Sequence, residues 1–351
     1  MADNANLTKE IKAIKAREIR NLIPKECYVK SNKKTFLFYF LDLFVFLLGI
    51  FIVFMTDLTI VKILGGLIAG LGTTMLFGWG HDAAHGALFK SSKVAELLGT
   101  IALLPSLNMY RMWSFGHNKV HHGFTSFTPI DWIWRPYTPS QYSNLSLFQK
   151  VAYKIERSLP ACGLHYLIKV WWAKMIKYNP GKDKEQRRYY LIGKLFTLVY
   201  ILLVSTFSYI YAGGIIGIIS VLIIPFIVFT YHISFFVYLH HTHPDMPLFE
   251  EKSEWSHSVA ALHCSSIVNF KLFTRIIYHN IMVHIPHHLD TRIPFYHLPK
   301  AYLALKKDYV DYIHEYDFNW IFISKIFKQC KLYDYNNKRW LTYKEASEIK
   351  C

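Results

Sequence analysis

The chain has 351 residues, 52% of them hydrophobic and 17% aromatic, with a formal net charge of +16. Soluble chains reach roughly 45–50% apolar even with glycine counted. The excess here is concentrated in long runs, which excludes an ordinary soluble domain and points to membrane spans. The positive charge forms no compact basic stripe with a known reading motif, so anionic lipid surfaces account for it better than nucleic acid does.

Residues 1–34 are polar and hold nine Lys/Arg. They show no short apolar region followed by a cleavage site, so no secretory signal is expected. From Leu7 to Ile23 the pattern is partly that of an amphipathic helix, which predicts either a segment lying on the membrane surface or a solvated basic tail. A first span is predicted over 35–55 and, after the link Thr56-Asp57-Leu58-Thr59, a second over 60–79. Each is near the ~20 residues that a bilayer requires. Leu97–Leu107 is apolar but too short to cross, and is expected at the interface or as a re-entrant segment. A third span is predicted over 190–211, with Lys194 able to snorkel, then a tight turn at Ala212–Gly213 and a fourth span over 214–239.

Lys and Arg lie at residues 1–34, 81–188 and 240–351, and none falls in 56–59 or 212–213. Lys62 is the one basic residue close to an external link. The positive-inside rule then places both termini and the central region in the cytosol. The expected fold is all-α and integral to the membrane: four transmembrane helices in two hairpins, with a cytosolic helical cap. Residues 1–34 form a basic segment and 35–351 the membrane domain.

Gly66-x-x-x-Gly70 and Gly213-x-x-x-Gly217 are read as ordinary close helix packing. Asp42 lies within span one, about two turns from its inner end, and is expected to reach water or pair with another segment. The five cysteines, Cys27, Cys162, Cys264, Cys330 and Cys351, are scattered without C-x-x-C spacing, which fits a reducing environment.

The chemistry lies in three histidine clusters: His81-Asp-Ala-Ala-His85, His117-Asn-Lys-Val-His121-His122 and His284-Ile-Pro-His287-His288. On a helix, positions i and i+4 share one face. One such pair arises by chance, but three on one predicted side of a membrane do not. His240, His241 and His243 compete for one further place just after span four. The three clusters and one of these make nine imidazoles, too many for one ion of roughly four to six ligands and suited to two ions with open positions. An all-nitrogen set without thiolates favours a di-iron centre for oxygen chemistry over structural zinc. Asp82, Asn118, Asn280 and Asp290 are candidates for orienting the ligand rings.

Glu254-Trp-Ser-His257 has the Glu-x-x-His spacing of soluble di-iron bundles, but those need two such motifs. There is no His-Glu-x-x-His, which argues against a zinc protease. His165, His232, His263, His297 and His314 are read as satisfied core or surface residues.

At these residues the chain resembles the membrane-bound fatty-acid desaturase family, whose three boxes read H-x(3–4)-H, H-x(2–3)-H-H and H/Q-x(2–3)-H-H. The wording between boxes is similar to the omega-6 (delta-12) type: Asp131-Trp-Ile-Trp-Arg-Pro, His241-Thr-His243-Pro, Glu254-Trp255 and His279-Asn280. Cys330-Lys-Leu-Tyr-Asp-Tyr and Arg339-Trp340-Leu resemble the tail of bacterial members. The resemblance runs from about residue 36 to 346. One departure is that His81-Asp-Ala-Ala-His85-Gly is also close to the first box of carotenoid ketolases.

The resemblance implies metal ligands at His81, His85, His117, His121, His122, His241, His284, His287 and His288, two irons, and an acyl tunnel. It implies an oxygen-dependent acyl-lipid desaturase that leaves a cis double bond. No His-Pro-Gly-Gly haem signature is present, so an external donor, ferredoxin or a separate cytochrome b5, is expected. The location implied is a bacterial inner membrane, or the endoplasmic reticulum in a eukaryote. A related hydroxylase or ketolase is the enzymatic alternative. A membrane metal-binding protein or transporter is the non-enzymatic one, and it predicts ligand histidines inside the spans.

Overall fold

The computed structural model describes residues 2–348; Cys351 lies outside them. Four helices are long and apolar enough to cross a membrane: Asn32–Phe54, Thr59–Ala84, Lys184–Tyr211 and Ile215–His241. Their cores coincide with the predicted spans, but all four extend further, the first starting at Asn32. The second continues to Ala84 and so carries His81 on its last turn. The third begins at Lys184, where the Asp183 carboxylate accepts from the backbone N–H groups of Glu185 and Gln186. The fourth runs on to His241.

The second span is the central post of the fold. It packs along both the first and the fourth, and its glycines permit that approach. A Cβ at Gly66 would lie 2.5 Å from the Ser220 carbonyl oxygen, and one at Gly70 would lie 2.5 Å from Val228 Cβ. Backbones in hydrocarbon meet closely only where side chains are this small.

Lys62 is buried and donates through Nζ to the Ala212 carbonyl. It therefore ties the start of span two to the turn that precedes span four. Asp42 pairs with His279 Nε2 at 3.1 Å, both groups fully buried. A carboxylate that sequence places in a span thus joins span one to the segment leading into the third histidine cluster.

Among the described residues four short strands complete the helical fold. β1 (Ser266–Asn269) pairs in parallel with β2 (His314–Asp317), and β3 (Leu332–Asp334) pairs antiparallel with β4 (Arg339–Leu341). The apolar stretch at 97–107 supplies the end of a helix, Ser92–Leu103, packed on span two, and then a short 3-10 turn, Leu104–Ser106.

The N-terminal segment folds as Ala2–Ala13 and Ala16–Asn21. Its isoleucines at 11, 19 and 23 do not face outward, though Leu22 is exposed. Ile11, Ile19 and Ile23 are buried in a cluster with Val259, Leu262 and Ile285, and the two helices pack on His257–His263 and His284–Leu289. The amphipathic pattern is real, but the surface it covers is the protein's own.

Candidate metal centre

The three histidine clusters and His241 converge. Ligand-capable nitrogens of His81, His85, His117, His122 and His287 all lie within 4.8 Å of one another, and so do those of His121, His241, His284 and His288. The two groups abut, with the His122 and His288 rings stacked at 4.2 Å. All nine rings are in the neighbourhood that sequence assigned them, divided five and four.

The division does not follow the clusters, and the backbone explains why. His81 and His85 sit at i and i+4 across the end of span two and join one group. Residues Phe115–His121 are instead a π-helical turn, with His122 following. Its wider i→i+5 pitch brings His117 and His122 onto one face, with their Nε2 atoms 3.1 Å apart. His121 is thereby turned into the second group. A regular α-helix would have paired His117 with His121. In the helix His284–Leu289, His284 and His288 share a face at i and i+4, with Nε2 atoms 2.9 Å apart, while His287 points to the first group.

Five of the nine rings are fixed from behind at Nδ1. Asp82 lies 2.9 Å from His81 Nδ1, and Asp131 lies 3.1 Å from His121 Nδ1. The carbonyl of Cys264 is 2.9 Å from His241 Nδ1, that of Ile281 is 3.1 Å from His284 Nδ1, and the Thr125 hydroxyl is 3.1 Å from His288 Nδ1. A partner at Nδ1 leaves Nε2 as the free donor atom, which is how proteins set the tautomer and angle of a ligating imidazole.

Burial first, and then the neighbouring imidazoles, hold His85, His117, His122, His284, His287 and His288 well below the ordinary imidazole value of 6.5. They are therefore neutral near pH 7 and offer lone pairs. His85 Nε2, His122 Nδ1 and both nitrogens of His287 are buried with no hydrogen-bond partner. Buried polar atoms ordinarily find partners. These unpartnered nitrogens all belong to the first group; with the second all-imidazole group abutting it, the donor set fits two cations of the borderline class that includes iron.

The other candidates fall elsewhere. His240 stacks on His284 at 3.6 Å, with Nε2 3.1 Å from Met282 Sδ. His243 lies against His314. Neither belongs to the two groups among the described residues.

Glu254 pairs with Lys338 and the His257 ring packs on Trp255. His232 donates to the Val228 carbonyl of its own helix, and His165 is held by Glu156. Of the four predicted orienting residues, Asp82 touches a cluster ring. Asn118 donates to the Ala84 carbonyl, Asn280 to that of Phe295, and Asp290 accepts from Arg292. Sequence reasoning missed Asp131 and Thr125 in this role. Asp131 carried a signal, since it opens the stretch Asp131-Trp-Ile-Trp.

A cavity of about 390 Å³ runs up to this centre. His81, His117, His121, His240 and His284 line it on the buried side, with Phe77, Trp113, Tyr166 and Ile233 along its walls. The size lies within the roughly 300–1,000 Å³ of ligand clefts.

Residues 58–320 match the fatty acid desaturase family model. The chain belongs to the fatty acid desaturase family. The "sn-1 oleoyl-lipid 12-desaturase" of Picosynechococcus sp. is 29% identical over 75% of this chain and 75% of its own length. The protein of that same description from Synechocystis sp. is 27% identical over 94% of this chain and 92% of its own. A chloroplastic omega-6 fatty acid desaturase of Glycine max is 27% identical over 91% and 73%. The protein is thus a desaturase, an oxidoreductase of the delta-12-like type.

Proposed function

We propose that this desaturase inserts a cis double bond into the acyl chain of a membrane lipid, with one iron held by His81, His85, His117, His122 and His287 and a second by His121, His241, His284 and His288. The observation that carries the reading is the five-and-four division of converging imidazoles beside an apolar cavity that His81, His117, His121 and His284 help to line. The names of the relatives point to an oleoyl chain and carbon 12.

Two irons bound there would supply activation of oxygen for hydrogen removal from adjacent methylenes. The chain's own residues do the rest. Asp82 and Asp131 orient His81 and His121. The cavity walls hold the acyl chain dry and in one register. Which carbons react follows from that register at about the ångström scale.

Electrons arrive from a separate donor, ferredoxin or cytochrome b5, steered by the basic surface. The four spans form two hairpins in a bacterial inner membrane, or the endoplasmic reticulum in a eukaryote. Both termini and the metal centre are cytosolic, and the membrane domain is 35–351. Expression in a host lacking polyunsaturated lipids, followed by mass spectrometry, tests the reading. A diunsaturated acyl chain is expected; oxygenated chains without a new double bond would instead make it a hydroxylase or ketolase.

A further inference from the structure

The cavity that reaches the histidines has a second, cationic end. Lys174 and Lys177 line it and are exposed, so this is where it meets the surroundings. Among the described residues no Asp or Glu lines the cavity. The Lys174 ammonium sits 4.8 Å over the ring of Trp132, and Lys177 sits 5.4 Å over that of Trp172. Trp132 also lines the cavity, and its indole N–H is a buried donor with no partner. Two exposed ammonium groups and an unpartnered N–H among the lining residues of one cavity suit an anion with several oxygens.

The place of this mouth narrows the anion's source. The helix His165–Ile176 exposes Ile168 and Trp172 one turn apart, and residues 177–183 lead directly into the span Lys184–Tyr211. Exposed aromatic and basic residues beside a span mark the headgroup level of a bilayer.

We infer that Lys174, Lys177 and the Trp132 N–H form a subsite for the phosphodiester of a phosphoglyceride whose acyl chain enters the cavity. This rests on the desaturase reading and adds to it the carrier of the chain: a phospholipid rather than a neutral glycolipid or a water-soluble thioester. The lysines bind the phosphate oxygens at the membrane surface while the apolar walls take the chain.

The test uses the full-length protein in nanodiscs doped with dioleoyl phosphatidylglycerol, its monogalactosyl diacylglycerol counterpart, or oleoyl-CoA. Turnover should half-saturate at a mole fraction about tenfold lower for phosphatidylglycerol than for the galactolipid. Lys174→Gln/Lys177→Gln should raise the phosphatidylglycerol value about tenfold, equivalent to about 1.4 kcal/mol. Lys169→Gln, on the same helix but outside the lining, should not move it. Galactolipid saturating within twofold of phosphatidylglycerol, preferential use of oleoyl-CoA, or an unmoved double variant each overturns the subsite. Native mass spectrometry of retained lipid reads the same preference without turnover. Retention of phosphatidylglycerol, lost in the double variant, alongside an absence of any new double bond would support the subsite and sink the desaturase reading alone.

Discussion

Replacing Asp131 by Asn tests whether a group that makes no contact with substrate sets the metal affinity of the second histidine group. Asp131 is buried, and its two oxygens lie 3.1 and 3.3 Å from His121 Nδ1. They also accept from the backbone N–H groups of Ser126 and Ile133, each at 3.1 Å. An amide keeps one acceptor oxygen and presents an NH₂ where the other stood. It therefore cannot satisfy His121 and both backbone donors together. One buried donor goes unpaired, at about 1–3 kcal/mol, and His121 loses the partner that fixes Nε2 toward His241 and His288. Losing such an orienting partner typically costs about 10–100-fold in metal affinity or activity. Iron titration of the purified variant, with turnover measured at saturating iron, should show a loss in that range. Asp290→Asn is the contrast, because Asp290 binds Arg292 and Tyr28 and no cluster ring; iron affinity there should stay within about threefold. A folded Asp131→Asn protein within twofold of wild type on both measures would refute the reasoning.

Further outcomes follow from the same geometry. Six cluster imidazoles are held well below 6.5 in the fold, so below about pH 6.5 the unfolded chain binds more protons than the native one, and stability falls as pH falls. Thermal unfolding of the iron-free protein should shift down between pH 7.5 and 5.5, and less so with iron bound. Gly70→Ala places a methyl 2.5 Å from Val228 Cβ and should destabilise by about 1–3 kcal/mol in a detergent unfolding assay. Asp42→Ala leaves His279 without its buried partner. It should cost about 1–3 kcal/mol and loosen the segment carrying His284, read as faster iron loss to a chelator.

The spans were legible because hydrocarbon dictates them. About twenty apolar residues with satisfied backbone can cross only as a helix, whatever the partners are. Eight of the histidines were legible because ligand type and spacing are local; His241 was singled out from its neighbours only by the resemblance. The division of the nine into two groups was not legible. It depends on a π-helical turn at Phe115–His121, which no apolar periodicity announces. The carbonyls of Cys264 and Ile281, which orient His241 and His284, were invisible for a similar reason, since any residue type supplies a carbonyl. The N-terminal amphipathic pattern was seen, but a pattern gives a face and not what covers it. Here helices from the far end of the chain bury Ile11 and Ile19. Asp42 was flagged by its cost in a membrane, and only the fold shows that His279 meets it.

The central claim is that the two nitrogen groups hold one iron each. Metal analysis of the purified wild-type protein tests it most directly, and the account predicts two irons per chain. One iron or fewer at full occupancy, or zinc in place of iron in active protein, would contradict it.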